Sequence, residues 1–379
     1  MMKLFQRYIL SVSFILFAFL ISVSAQDLSG YKFTKVKEIK NTSVKNQQRT
    51  GTCWSFATTS FIESELIRMG KEPLDLAEMF FVRHAYIKKA ENYIRFHGNA
   101  NFSQGGQAHD VMNAVRLYGV VPQEVYQGLN YGSDIHNHSE LSSVLKGFLD
   151  GLLKNQVLSP VWEKAYDAIL DVYLGDEVIS FNYKGRAYTP SEFAISTVLD
   201  PDDYLELTSY THAPFYSTFI LEVPDNWSFD KYYNLPLDEL IQVIDHALDN
   251  GYTVCWDGDV SEKGFSHSNG VAVVPDMTIS MEDVPASQYA VKEKIITQEL
   301  RQESFTNYST TDDHLMHLVG TATAQNGQRF YLTKNSWGTE SNNMGGKLYM
   351  SVPYARLHTI AVMVHKDALP EDIKEKLNL

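Results

Sequence analysis

Cysteine is scarce in this chain: Cys53 and Cys255 are the two among 379 residues. No disulfide framework can rest on that number, so stability has to come from a buried core, and a chain of this length that is 44% hydrophobic has enough apolar surface for one. Positive charge is also in short supply, with 32 Lys and Arg against 46 Asp and Glu and a net charge of −14. Such a surface argues against nucleic acid and anionic membrane as partners. Phosphate-loop, dinucleotide and zinc fingerprints are missing. Asp257, Asp259 and Glu262 have no His at ligand spacing and read as a solvated loop, so no metal or organic cofactor is expected.

Long apolar runs are lacking too, apart from residues 8–21. That run follows Lys3 and Arg7 and ends at Val23-Ser24-Ala25, the pattern of a cleavable export leader over 1–25. The expected mature protein is exported, periplasmic or extracellular, with no integral membrane segment after cleavage.

The remaining pattern is helical first and β-rich last. Apolar positions at helical spacing predict helices over 52–69, 75–94 and 108–117, the first stopping at Gly70. Residues 139–175 predict two helices broken near Ser159-Pro160, with stripes Leu141, Val144, Leu145, Phe148, Leu152 and then Val161, Ala165, Ile169, Val172. Strands and loops are expected over 178–232, and a helix over 237–248 leads into a buried strand at 252–256 that holds Cys255. Further strands are expected at 271–274, 317–323, 329–335, 347–352 and 358–364. The sum is an α+β protein whose two parts face each other across a cleft.

Chemistry concentrates on Cys53. It opens the first helix, where the positive end of the macrodipole favours a thiolate, and Gly51 lets the backbone turn tightly just before it. A thiol nucleophile needs an imidazole and a group that orients the imidazole. His317 is taken as the base and Asn335, in Asn335-Ser336-Trp337-Gly338, as the orienting group, with Trp337 shielding their hydrogen bond. The Cys53 N–H and the Gln47 side chain are the expected oxyanion donors. His314 is read as a surface residue and His267 as the rival base. Cys255 reads as a buried structural thiol, and no disulfide is expected.

Gln47, the run Gly51-Thr52-Cys53-Trp54, the late His317 and Asn335-Ser336-Trp337-Gly338 together resemble the papain-like cysteine peptidases. The resemblance implies a two-lobed papain-like fold, a helical lobe bearing Cys53 and a β-barrel-like lobe bearing His317 and Asn335. It also implies that Gly105 and Gly106, with Trp337, line the peptide cleft. The chain departs from the usual pattern in three ways. Thr50 stands where a Cys is common, His317 follows Cys53 by 264 positions, and no pro-segment fits between the leader and Cys53. With Gly105-Gly106-Gln107 and Tyr118-Gly119-Val120-Val121-Pro122, this resembles the bleomycin hydrolase and aminopeptidase C group. There a C-terminal tail in the cleft restricts cleavage to the peptide's N-terminus.

The expected division is a leader (1–25), a helical lobe (26–132), an inserted, largely helical segment (133–250), a β-rich lobe (251–369) and a tail (370–379). The expected activity is peptide hydrolysis through a thioester, as an aminopeptidase. An open-cleft endopeptidase or dipeptidase, acyl transfer to an amine, and a silent peptide-binding scaffold are the alternatives. Peptides are the expected partners; oligomerisation stays open, with a hexamer disfavoured because the group's N-terminal arm is mostly missing.

Overall fold

The computed structural model describes residues 30–276 and 292–379. The leader expected over 1–25 lies outside the described residues.

Helix α1 (Cys53–Arg68) is the axis of the molecule. Every residue from Cys53 to Leu66 is buried, so this is a helix enclosed on all sides rather than an amphipathic one. Its buried acids are matched by donors: Glu63 accepts from Thr42 Oγ1 (2.5 Å), Lys45 Nζ (3.4 Å) and the Leu76 amide (2.9 Å), and Glu65 pairs with Arg68. One side packs against α2 (Glu78–Arg95) and α3 (Ala108–Tyr118), with Phe61, Phe80, Val111 and Met112 in a shared core. Helix α3 ends at Gly119, whose φ of 88° and tight approach to the Pro190 backbone leave no room for a side chain.

Helices α4 (Ser139–Leu152) and α5 (Trp162–Leu174) complete that core. Helix α4 buries Leu141, Leu145 and Leu149 while Val144 is 38% exposed. Helix α5 buries Tyr166, Leu170 and Leu174, a stripe one position on from the expected Ala165 and Ile169, with Val161 and Val172 exposed. The rotation of roughly 100° brings the Tyr166 hydroxyl to the Tyr86 carbonyl (3.0 Å), which a stripe of aliphatic side chains would not do. A hairpin of β2 (Phe181–Tyr183) and β3 (Arg186–Tyr188) precedes α6 (Pro190–Thr197), which starts on a Thr189–Glu192 capping box where strands and loops were expected.

The other side of α1 meets an 11-stranded mixed sheet. Its strands are β1 (Phe33–Glu38), β4 (Tyr204–Thr208), β5 (Thr218–Ile220), β6 (Lys231–Asn234), β7 (Val254–Gly258), β8 (Phe265–Ser266), β9 (Val271–Ala272), β10 (His314–Ala324), β11 (Arg329–Lys334), β12 (Lys347–Ser351) and β13 (Thr359–His365). Their order is β5-β6-β4-β13-β7-β10-β11-β12-β9-β8, with β1 added on β10. The central strand β10 serves two cores by the alternation of its side chains: Leu315 faces the helical core, and Met316 and Leu318 face the second core. Helices α7 (Leu237–Asp249), α9 (Val352–His358) and α10 (Glu371–Leu377) line that second core, and α8 (Gln298–Thr306) packs beside it.

The segment 133–250 is therefore not one helical insertion. Its first part joins the helical core, whereas β4, β5, β6 and α7 extend the sheet and its core, β4 pairing with β13 from Leu207↔Val362 to Tyr204↔His365. Nor is 370–379 a free tail. It forms α10, buries Ile373 and Leu377 in the second core, and ties Lys376 to Glu239 of α7 at 3.0 Å. No helix among the described residues is long and apolar enough to cross a membrane.

Candidate active site

Cys53 is the first residue of α1 and 7% exposed. Its N–H belongs to the first-turn amides that a helix leaves without internal partners. The Leu315 amide, at the start of β10, donates to its sulfur. Burial pushes the thiol up to about 12, and the nearby carboxylates of Asp225, Asp257 and Asp312 act in the same direction against that donor.

The imidazole that Asn335 meets is that of His314 and not that of His317. His314 is 5% exposed, not a surface residue, and its Nε2–H donates to Asn335 Oδ1 at 2.8 Å. His317 is fully buried on the opposite face of β10, its Nδ1 2.8 Å from Ser60 Oγ and its ring 6.0 Å from Phe61. Ser60 lies seven residues along α1 from Cys53, about 10 Å at helical rise. His314 and His317 are an odd number of residues apart on a strand, so they point to opposite sides, and the Leu315 amide at the Cys53 sulfur adjoins His314 along the backbone.

A chain of donors fixes the His314 tautomer. Asn335 Oδ1 also receives the Ser336 amide (2.7 Å), so the Asn335 Nδ2 points the other way, donating to His267 Nδ1 (3.3 Å). His267 Nε2–H in turn reaches Ser341 Oγ (2.8 Å), and Ser341 donates to the Gly338 carbonyl (2.6 Å). His267, the rival base, is thus a support for Asn335. With Nε2 of His314 committed as donor, its Nδ1 is left as the proton acceptor. Trp337 lies over the group, 5.1 Å from the His314 ring and 4.7 Å from that of His267. Burial, with His267 nearby, pulls His314 down to about 4 against the Asn335 hydrogen bond.

Gln47 is buried and Gln48 is not its equivalent. The Gln47 Oε1 accepts from Ser336 Oγ (2.6 Å) and Nε2 donates to the Thr50 carbonyl (2.7 Å), which sets the amide's orientation and leaves its second N–H. The backbone holds both halves of the site together through Gln47 N to Ser336 O (2.8 Å) and Gly338 N to Lys45 O (3.0 Å). Gly106 is buried against the Trp54 ring and Asp110, whereas Gly105 faces Asp225. Cys53 and Cys255 are both free; Cys255, 1% exposed, sits opposite His317 on β7 with Thr58 Oγ1 at 3.5 Å from its sulfur.

Two acids expected in a solvated loop are buried. Asp259 accepts from Ser261 and Thr311, and Asp257 sits inside β7 at 3% exposure. Asp225, Asp257 and Asp312 near the sulfur were not anticipated as site residues. The one signal was an Asp following Cys255-Trp256 within an otherwise apolar strand.

Residues 177–379 match the Peptidase C1-like family, and residues 32–140 match the Papain family of cysteine proteases. Aminopeptidase C of Listeria monocytogenes is 22% identical over 395 residues, covering 90% of this chain and 84% of its own. Aminopeptidase G of Lactobacillus delbrueckii subsp. lactis is 21% identical, covering 90% and 85%. The crystal structure of PepW from Lactobacillus rhamnosis HN001 superposes with a TM-score of 0.72 at 18% identity, covering 92% of this chain and 84% of that one.

Proposed function

The chain belongs to the Peptidase C1-like family, and from that premise we propose that it is a cysteine aminopeptidase in which Cys53 is the nucleophile and His314 the base. The observation that carries this is the His314–Asn335 hydrogen bond under Trp337, with the adjoining Leu315 amide on the Cys53 sulfur. The names of the aminopeptidases to which the chain is similar support the exopeptidase part.

Burial favours the neutral forms of Cys53 and His314. Proton transfer from Sγ to Nδ1 makes a thiolate at the α1 N-terminus and an imidazolium held by Asn335, each stabilising the other. The thiolate adds to the scissile carbonyl. The Cys53 N–H and the second Gln47 N–H receive the oxyanion. His314 gives its proton to the leaving amine, a thioester remains on Cys53, and His314 then takes a proton from the water that releases the acyl group.

The leader over 1–25 supports export to the periplasm or the extracellular space; N-terminal sequencing of the secreted protein checks it, and a chain still beginning at Met1 refutes it. The activity is tested by incubating the protein with one peptide in free and N-acetylated forms and weighing the products. Loss of N-terminal residues from the free form alone is expected, and internal cleavage of both forms would make it an open-cleft endopeptidase.

A further inference from the structure

An aminopeptidase of this kind needs something to stop the peptide upstream of Cys53 and to receive its α-ammonium. The helix formed by 371–377 does neither, since it is packed against α7 in the second core. The loop 103–107 lies at the correct place. Gln104 fastens it beside the nucleophile, its Oε1 accepting the Gly51 amide (2.7 Å) and its carbonyl accepting Trp54 Nε1 (3.0 Å).

Asp225 is seated on that loop. Its Oδ1 accepts from Asn101 Nδ2 (3.0 Å) and Ser103 Oγ (3.2 Å), and Asn101 also holds the Pro224 carbonyl (2.8 Å). Its Oδ2 occupies the space a side chain at 105 would need, 1.8 Å from where a Cβ would be, so glycine is required there. Two residues on, Trp227 is pinned by its Nε1 to Asp110 (2.9 Å) and by its carbonyl to Asn92 (2.9 Å). The turn formed by 223–227 is thus a fixed strap across Gly105.

The surroundings hold acceptors in excess of donors. Asp257 is 3% exposed and has Asp312 as its hydrogen-bond partner; Gln107 Oε1, on a residue 1% exposed, meets no donor. Asp312 receives hydrogen bonds from Gln107 Nε2 at 2.7 Å and from the carboxyl of Asp257. Lys89 is the cation in reach, but its ammonium is bonded to the carbonyls of Ser103 and Gly105 beneath the loop. Among the described residues no group of His, Cys, Asp or Glu is arranged to hold a metal ion. What such a place lacks is a compact cation with several N–H donors, which is what an α-ammonium is. It stands two bonds from the carbonyl carbon that Cys53 attacks, and all three carboxylates are close enough to the sulfur to bear on its ionisation.

We propose that Asp225 and Asp312, backed by Asp257, bind the α-ammonium of the peptide's first residue, and that the strap 223–227 ends the cleft one residue upstream of the cleaved bond. This rests on the aminopeptidase reading above. Burial and the Asp225 charge push Asp312 up to about 7, and Asp257 is held well above the carboxylate range, so the Asp257–Asp312 pair holds a proton that an arriving ammonium displaces.

The test compares alanyl- and propionyl-7-amino-4-methylcoumarin, which differ by the amine alone. The wild-type protein is expected to prefer the alanyl compound by a factor of about 100 or more in kcat/KM, as charged hydrogen bonds in a buried site allow. A wild-type protein that cuts N-acetylated peptides internally and shows no such preference sinks the aminopeptidase reading itself. Given the preference, Asp225→Asn and Asp312→Asn should each shrink the alanyl-to-propionyl ratio at least tenfold, chiefly through the KM of the alanyl compound, with the fold checked by circular dichroism. A variant that loses both substrates together has lost its fold, and the ratio in the other variant then decides. An unchanged ratio in a folded variant overturns the proposal, as does a ratio that falls only when the chain is extended beyond Leu379.

Discussion

Asn335 takes its imidazole hydrogen bond from His314 (Nε2 to Oδ1, 2.8 Å), while His317, three residues along the same strand, bonds Ser60 on α1. The two histidines therefore have separable roles. His314→Ala should lower kcat/KM by at least ~10³-fold, because it removes both the base and the acid of the proposed cycle. His317→Asn should keep kcat within about threefold and instead lower stability by ~1–3 kcal/mol, the cost of disturbing a buried polar group. Steady-state kinetics alongside chemical denaturation separates them; loss of turnover in the His317 variant with the fold intact would return the catalytic role to His317.

Gln47 is held by Ser336 and Thr50 at the junction of the two lobes. Gln47→Ala should reduce kcat by about 10²-fold if its free N–H meets the oxyanion. Labelling of Cys53 by a small alkylating agent should be little affected, since alkylation develops no oxyanion. Equal losses in both measurements would mean that the residue only supports the backbone.

The sequence made α1 legible from end to end, because Gly51, Cys53 and Gly70 punctuate it and its apolar spacing is unbroken. Which histidine Asn335 meets was not legible, for a physical reason. From His314 to Thr321 every residue of β10 is buried, so the strand has no polar alternation from which a face could be read, and distance along the chain to Asn335 was the remaining guide. How 133–250 divides between the two cores was equally hidden. Helices α4 and α5 are amphipathic and legible as a pair, but β4 and β6 find their partners in β13 and in each other through pairing that local sequence does not encode. Asp225 could not have been found by spacing at all, since its place over Gly105 depends on bonds to Asn101 and Ser103 more than 100 residues away.

The packing of α10 changes what a C-terminal truncation should do. Deleting 370–379 removes Ile373 and Leu377 from the second core, and ~2–5 kcal/mol per large buried side chain is the usual cost. The expected outcome is a lower unfolding midpoint with unchanged choice of the bond cleaved in whatever protein stays folded. A short Gly-Ser extension after Leu379, which is 50% exposed, should leave both stability and cleavage pattern as they were. Mass spectrometry of peptide products decides, and internal cleavage by either protein would restore the tail to the cleft.

His109, on α3, bonds Glu206 on β4 (Nδ1 to Oε2, 2.7 Å) and Ser228 Oγ (3.0 Å), and so joins the helical lobe to the segment that carries Asp225. Burial alone would lower its pKa, but the Glu206 charge and hydrogen bond, with Asp110 and Asp230, raise it to about 10. Its unfolded value is ~6.5. A raised folded pKa stabilises the native state fully below the unfolded value, and that contribution is lost as pH climbs from ~6.5 through about 10, where the unfolded chain has already released the proton that the folded one still holds. His109→Gln keeps a hydrogen-bonding side chain without the charge and should cost ~3–5 kcal/mol near pH 6, the range for stranding one member of a buried pair. The gap in unfolding midpoint between wild type and variant should then narrow steadily up to pH 10. A gap that stays constant over that range would show that His109 acts through packing and not through its charge.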